Sequence, residues 1–151
     1  MNIKHIFLFA APLAVLSLTL SVSGQAQNLV PNPSFEQVSE DAKEKDIKSF
    51  GLINVFSEEW GGATEVAPDL FMEREKESKV TIPCNDYGHQ DPADGAFYAG
   101  FRAYSKSPKL KRSYLQVQLT EKLEENQMYC ASFDLSLADL SRYAVPDIGA
   151  I

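Results

Sequence analysis

Five acids, Glu36, Glu58, Glu59, Asp69 and Asp134, are the residues from which a glycosidase would draw its pair of facing carboxylates. Their spacing places no two of them opposite each other, and an acidic chain yields such sets by chance. Nucleophilic catalysis needs a base beside the nucleophile, and past residue 26 the only histidine is His89, with no Ser or Cys motif around it. Cys84, His89 and Cys130 also lack the paired spacing of zinc ligands. The chain is therefore expected not to be an enzyme. A different chemistry, stacking on flat apolar faces, is open to Trp60, which stands beside Gly61 and Gly62, and to Tyr98 and Tyr104, which share one side of an alternating run with Arg102. Aromatic rings of this kind bind sugars when they are exposed and fill the core when they are not. The candidate ligand-binding set is Trp60, Tyr98, Arg102 and Tyr104.

Positioning these residues falls to strands. Tyr129 to Leu137 (YCASFDLSL) alternates Tyr129, Ala131, Phe133, Leu135 and Leu137 with Cys130, Ser132, Asp134 and Ser136, which predicts a central β-strand. Tyr114 to Leu119 (YLQVQL) alternates likewise, and the polar TEKLEENQM connection would return the chain antiparallel beside it. Ala96 to Tyr104 (AFYAGFRAY) predicts a third strand. At the start, NLVPNPSFE (28–36) reads as an edge strand or a strand switching sheets, with Phe35 its core anchor and Pro31 and Pro33 unable to donate ladder hydrogen bonds. Residues 37–49, 73–79 and 106–112 read as solvated charged segments, and NDYGHQDPADG (85–95) as an irregular loop. No long helix is required after residue 26. The expected fold is all-β, an antiparallel β-sandwich of the jelly-roll kind, with a final segment, YAVPDIGAI, that starts a strand and stops inside it; the sandwich is expected to be incomplete at the C-terminus.

Residues 1–26 carry Lys4 and His5, then an apolar run from Ile6 to Val22, then Ser23-Gly24-Gln25-Ala26 with small residues where a signal peptidase reads. A 17-residue run containing Pro12, Ser17, Thr19 and Ser21 is at the short limit for a membrane anchor, so a signal peptide is expected, followed by a module spanning 27–151 without a membrane span. Removing 1–26 takes away only Lys4 of the 14 Lys and Arg and none of the 21 Asp and Glu, so the exported part is more acidic than the −7 of the whole chain. That balance excludes nucleic acid and anionic lipid as natural partners. Export also exposes Cys84 and Cys130 to an oxidising compartment, where a bridge between them is open, as is their persistence as free thiols.

Several motifs together bear a likeness. NLVPNPSFE, Trp60 with its glycines, APDLF (67–71), NDYGHQDPADGAFYAGF (85–101) and YCASFDLSLADLSRYAVPDIGA (129–150) resemble, in order, a β-sandwich module of secreted and outer-membrane proteins of Gram-negative bacteria. That module precedes OmpA-type peptidoglycan-binding domains or gliding-motility sorting regions, and is similar to jelly-roll carbohydrate-binding, galactose-binding-like domains. Neither downstream region is present in the sequence, so peptidoglycan attachment and sorting do not carry over. The resemblance implies a non-enzymatic cell-envelope or surface module, found in the periplasm, at the outer membrane or outside the cell, that binds a surface or envelope glycan or acts as a spacer. Its alternatives are a carbohydrate-binding module and an accessory fragment of a secreted glycoside hydrolase. Such jelly rolls often hold a structural calcium on oxygen ligands, for which Glu36 and Asp147 are the candidates.

Overall fold

The computed structural model describes residues 27–40, 42, 50–73, 78–107 and 111–151. Residues 1–26, where a signal peptide is expected, and most of the charged segment 37–49 lie outside them. Among the described residues the named elements are a helical turn and antiparallel strands: α1 (Ile53–Phe56), β1 (Trp60–Gly62), β2 (Asp69–Met72), β3 (Cys84–Asn85), β4 (Gly88–His89), β5 (Phe97–Gly100) and β6 (Leu115–Val117). Three two-stranded ladders result, β1 with β6, β2 with β5 and β3 with β4, so the architecture is all-β and antiparallel.

The core forms where apolar residues arrive from separate ladders. β2 buries Leu70, Phe71 and Met72 in succession, and the first two form one cluster with Ile53 and Phe56 of α1, Val38, Ala42 and Val80. Ile53 and Phe56 are three apart, so one helical turn points both inward. β5 lies across β2 in the register Leu70↔Ala99 and Phe71↔Tyr98, which brings its aromatic residues onto the same core. At the other ladder Trp60 faces Val117 and Gly62 faces Leu115. Gly62 is required there: a Cβ would come within 2.7 Å of Pro68 Cδ and 3.1 Å of Ala67 Cα.

Two expectations are corrected. NLVPNPSFE is a turn rather than a strand. Asn32 and Phe35 both take left-handed backbone (φ 46 and 64), and Phe35 N–H donates to Asn32 O at 3.1 Å. The buried Asn32 side chain closes the turn in both directions, accepting from Gln37 N at 2.9 Å and donating to Gln37 O at 3.0 Å. The two prolines removed the ladder donors, and Asn32 supplied the alternative bonding. Phe35 does serve as an anchor, packed on the core and on Trp60.

Tyr129 to Leu137 is not a central strand. Every residue in it is exposed, Phe133 and Leu135 at 55% each, and it joins no ladder. Alternation specifies a two-faced segment but not its neighbour. β6, the partner expected for it, pairs with β1 instead, and the chain beyond is drawn to the β3–β4 hairpin, where Leu140 N–H donates to Tyr87 O (3.0 Å) and Asp139 Oδ2 accepts from His89 N–H (2.9 Å).

Candidate functional site

Beside Trp60 the β1–β6 ladder and α1 enclose a surface groove of about 390 Å³, lined by Asn54, Ser57, Glu58, Glu59, Trp60, Gly61, Gly62, Gln116, Val117 and Gln118. The groove exists because β1 is short of side chains. Gly61 stands opposite Gln116 and offers none of its own, so the ladder floor stays low between α1 and β6. Asn54 Oδ1 accepts from Gly62 N–H at 2.6 Å and Ser57 Oγ from Trp60 N–H at 3.1 Å, which ties the helical turn to the strand and fixes the groove's width. Alternation of β6 turns Gln116 outward, and Gln118 beyond it is also exposed. Glu58 is exposed at the rim, whereas Glu59 is half-buried and its Oε2 is sheltered from solvent without a hydrogen-bond partner. The lining is thus one aromatic, two carboxylates and three carboxamides, with no basic side chain. A second hollow of about 430 Å³ is lined only by residues 118–123, and no separate elements converge on it.

Trp60 itself is half-buried. Its indole N–H donates to Asn32 O at 2.7 Å, and its ring lies against Phe35 with centroids 4.9 Å apart and planes at 44°. One edge is therefore structural while the residue still lines the groove.

The other sequence candidates are dispersed. Tyr98 stacks on Phe71 (4.7 Å, 9°) and its hydroxyl accepts from Asn85 Nδ2 at 2.9 Å, so it is a packing residue rather than a sugar platform. Burial pushes its phenol up, with the Asp91 charge adding to the effect against the Asn85 hydrogen bond. Arg102 is half-buried, its backbone N–H donating to Ser113 Oγ at 2.9 Å. Tyr104 is exposed and meets Tyr143 edge-on at 5.1 Å. Strand β5 ends at Gly100, so the alternation that grouped Tyr98 with Tyr104 does not continue to position 104.

Among the acids, Asp69 belongs to the interior. Gly51 N–H and the Tyr87 hydroxyl (3.2 Å) both donate to its carboxylate. Burial raises its pKa above the usual 3.8, opposed by those two hydrogen bonds and by the charge of Arg102. Tyr87 is pushed up to about 12 by burial and then by Asp69. Glu36 is engaged in a backbone clamp, its Oε1 accepting from Ala96 N–H (2.7 Å) and Phe97 N–H (2.9 Å), and this holds the entry to β5. Gly95 at φ +66 makes room for it, since a Cβ there would collide with the carboxylate. Asp134 sits in the exposed 129–137 segment, and Asp147 is exposed near the chain's end. No contact joins Glu36 to Asp147, and among the described residues no group of three or more His, Cys, Asp or Glu is arranged to hold a metal ion. Cys84 and Cys130 are free and exposed, not bridged: Cys84 stands opposite His89 in the hairpin, and Cys130 lies in the unpaired segment.

Asn54, Gln116 and Gln118 were missed from the sequence. The two glutamines are the polar positions of YLQVQL, and that alternation was the signal that could have found them.

Among the described residues no helix is long and apolar enough to cross a membrane. Neither a protein-family model, nor a curated protein, nor a solved structure matches this chain.

Proposed function

We propose that the chain is an exported, non-enzymatic β-sandwich module of the cell envelope or surface whose groove beside Trp60 binds a glycan. The observation that carries this reading is the lining of the groove. A half-buried indole sits among Asn54, Ser57, Gln116 and Gln118, the combination of flat apolar surface and neutral hydrogen-bonding groups that a sugar ring uses. Its volume of about 390 Å³ falls at the lower end of the roughly 300–1,000 Å³ of small-molecule sites. The resemblance to galactose-binding-like jelly rolls supports the same class of ligand, and the apolar run before Ser23-Gly24-Gln25-Ala26 supports export to the place where such glycans are found.

The acids weighed for catalysis argue for binding rather than hydrolysis. Asp69 is held in the interior by Gly51 and Tyr87, and Glu36 is held by the 96–97 backbone, which leaves Glu58 and Glu59, adjacent in sequence, at the groove. Retaining and inverting glycosidases set their two acids on opposite sides of the scissile bond, roughly 5–10 Å apart, and chain neighbours in the bend before β1 do not straddle a sugar that way. Two carboxylates at the groove also select against uronic acids and sulfated chains. A glycan array probed with the exported protein tests the proposal: binding to neutral glycans that Gln116→Ala weakens is the expected result. A blank array, or binding unaffected by Gln116→Ala, would remove the groove from consideration and leave a spacer role.

A further inference from the structure

Residues 129–137 form the largest feature that neither the core nor the groove uses. They run without helical turn or bend, all nine are exposed, and no hydrogen bond involves residues 130–137. Tyr129, Phe133, Leu135 and Leu137 are 43–58% exposed on one side of the run. The segment is tethered at both ends, by Glu124 N–H donating to the Tyr129 hydroxyl (2.9 Å) and by Leu140 and Asp139 on the β3–β4 hairpin. It is a strand presented in extended form without a ladder, the state in which edge pairing costs least ordering entropy.

We propose that residues 129–137 pair antiparallel with the same segment of a second copy, centred on Phe133. The sequence is self-complementary in that register. Phe133 faces Phe133, Leu135 faces Ala131 and Tyr129 faces Leu137, so every apolar residue meets an apolar one on a single face. On the other face Asp134 meets Ser132 and Cys130 meets Ser136, and no like charges stand directly opposite. Shifting the centre to Asp134 sets the two carboxylates against each other, and a one-residue shift of pairing puts apolar residues against polar ones. Pairing supplies the missing ladder bonds and brings the two stripes together. A contact of nine residues a side is smaller than the roughly 20–30 of a standard interface, which makes the dimer weak and concentration-dependent.

Sedimentation of the exported protein between about 10 and 300 μM should show a monomer–dimer equilibrium, and Phe133→Asp should abolish it without altering the far-UV circular dichroism. Register is tested in a Cys84→Ala background, which removes the other exposed thiol. Directly opposed residues in an antiparallel pair lie close enough for a disulfide, so Ser136→Cys should cross-link to Cys130 of the second copy on mild oxidation. Ser132→Cys should not cross-link the copies to Cys130, because it faces Asp134 of the second copy, four residues along from that copy's Cys130. A monomer throughout the range, equal cross-linking by both variants, or no cross-linking by Ser136→Cys in a protein that dimerises would overturn the proposal.

Discussion

Replacing Trp60 separates its structural edge from its groove edge. Trp60→Phe keeps most of the ring contact with Phe35 but removes the indole N–H that donates to Asn32 O at 2.7 Å. Asn32 is only 4% exposed and its carbonyl still accepts from Phe35 N–H at 3.1 Å, so the loss is that of one hydrogen bond, about 0.5–1.5 kcal/mol. Trp60→Ala adds the loss of the ring. A tryptophan buries about 150–250 Å² when fully enclosed, and half of that at ~25 cal/mol per Å² is about 2–3 kcal/mol. The Ala variant should therefore lose about 2.5–4.5 kcal/mol and the Phe variant about 0.5–1.5, the former a large share of a small domain's stability. Urea unfolding followed by circular dichroism measures both, and the Phe variant should retain most glycan affinity because a flat ring still lines the groove. A loss under about 0.5 kcal/mol in both variants would refute the account, since Trp60 would then hold nothing in place.

Four further outcomes follow, three from the geometry and one from the sequence. Asp69 is raised above 3.8 by burial, so its contribution to stability is present below its unfolded pKa and is lost as pH rises through the folded value; Asp69→Asn should flatten that acid-range slope in urea midpoints measured across pH. Tyr87, raised from 10 to about 12, should contribute stability that is lost between those pH values and is absent in Tyr87→Phe. Glu36→Ala should cost about 1–2 kcal/mol with or without added calcium, because what it removes is the clamp on Ala96 and Phe97 N–H; a loss seen only with calcium present would restore Glu36 as a metal ligand. N-terminal sequencing of the exported protein should begin at Gln27, and a chain retaining residues 1–26 would revive the anchor reading.

What the sequence made legible follows from what alternation encodes. AFYAGFRAY and YLQVQL both contain real strands, β5 and β6, because each alternating run found a partner. Those partners were not legible: β1 is Trp-Gly-Gly, with no alternation to read, and it pairs with β6 where a Cβ at Gly62 would collide with Pro68. YCASFDLSL has the cleanest pattern in the chain and pairs with nothing, since a period of two records that a segment has two faces and says nothing of its neighbour. The β3–β4 hairpin hides in NDYGH, where turn residues masked two short strands. At the site, Trp60 was legible as an aromatic beside glycines. Tyr98 looked like its equal on the polar side of a strand, but β5 is covered on both faces and Tyr98 stacks on Phe71.

The most direct test of the central claim is a calorimetric titration of the exported protein with a neutral glycan from the array, run beside Gln116→Ala. Gln116 is exposed and pairs in the β1–β6 ladder through its backbone, which the substitution leaves in place, so losing its side chain should leave the fold intact. The account predicts measurable binding that weakens about tenfold or more in the variant, the effect of about 1.4 kcal/mol from a lost sugar hydrogen bond, with an unchanged unfolding midpoint. Equal affinity in the two proteins at equal stability would contradict it, because the ligand would then sit somewhere other than the groove beside Trp60.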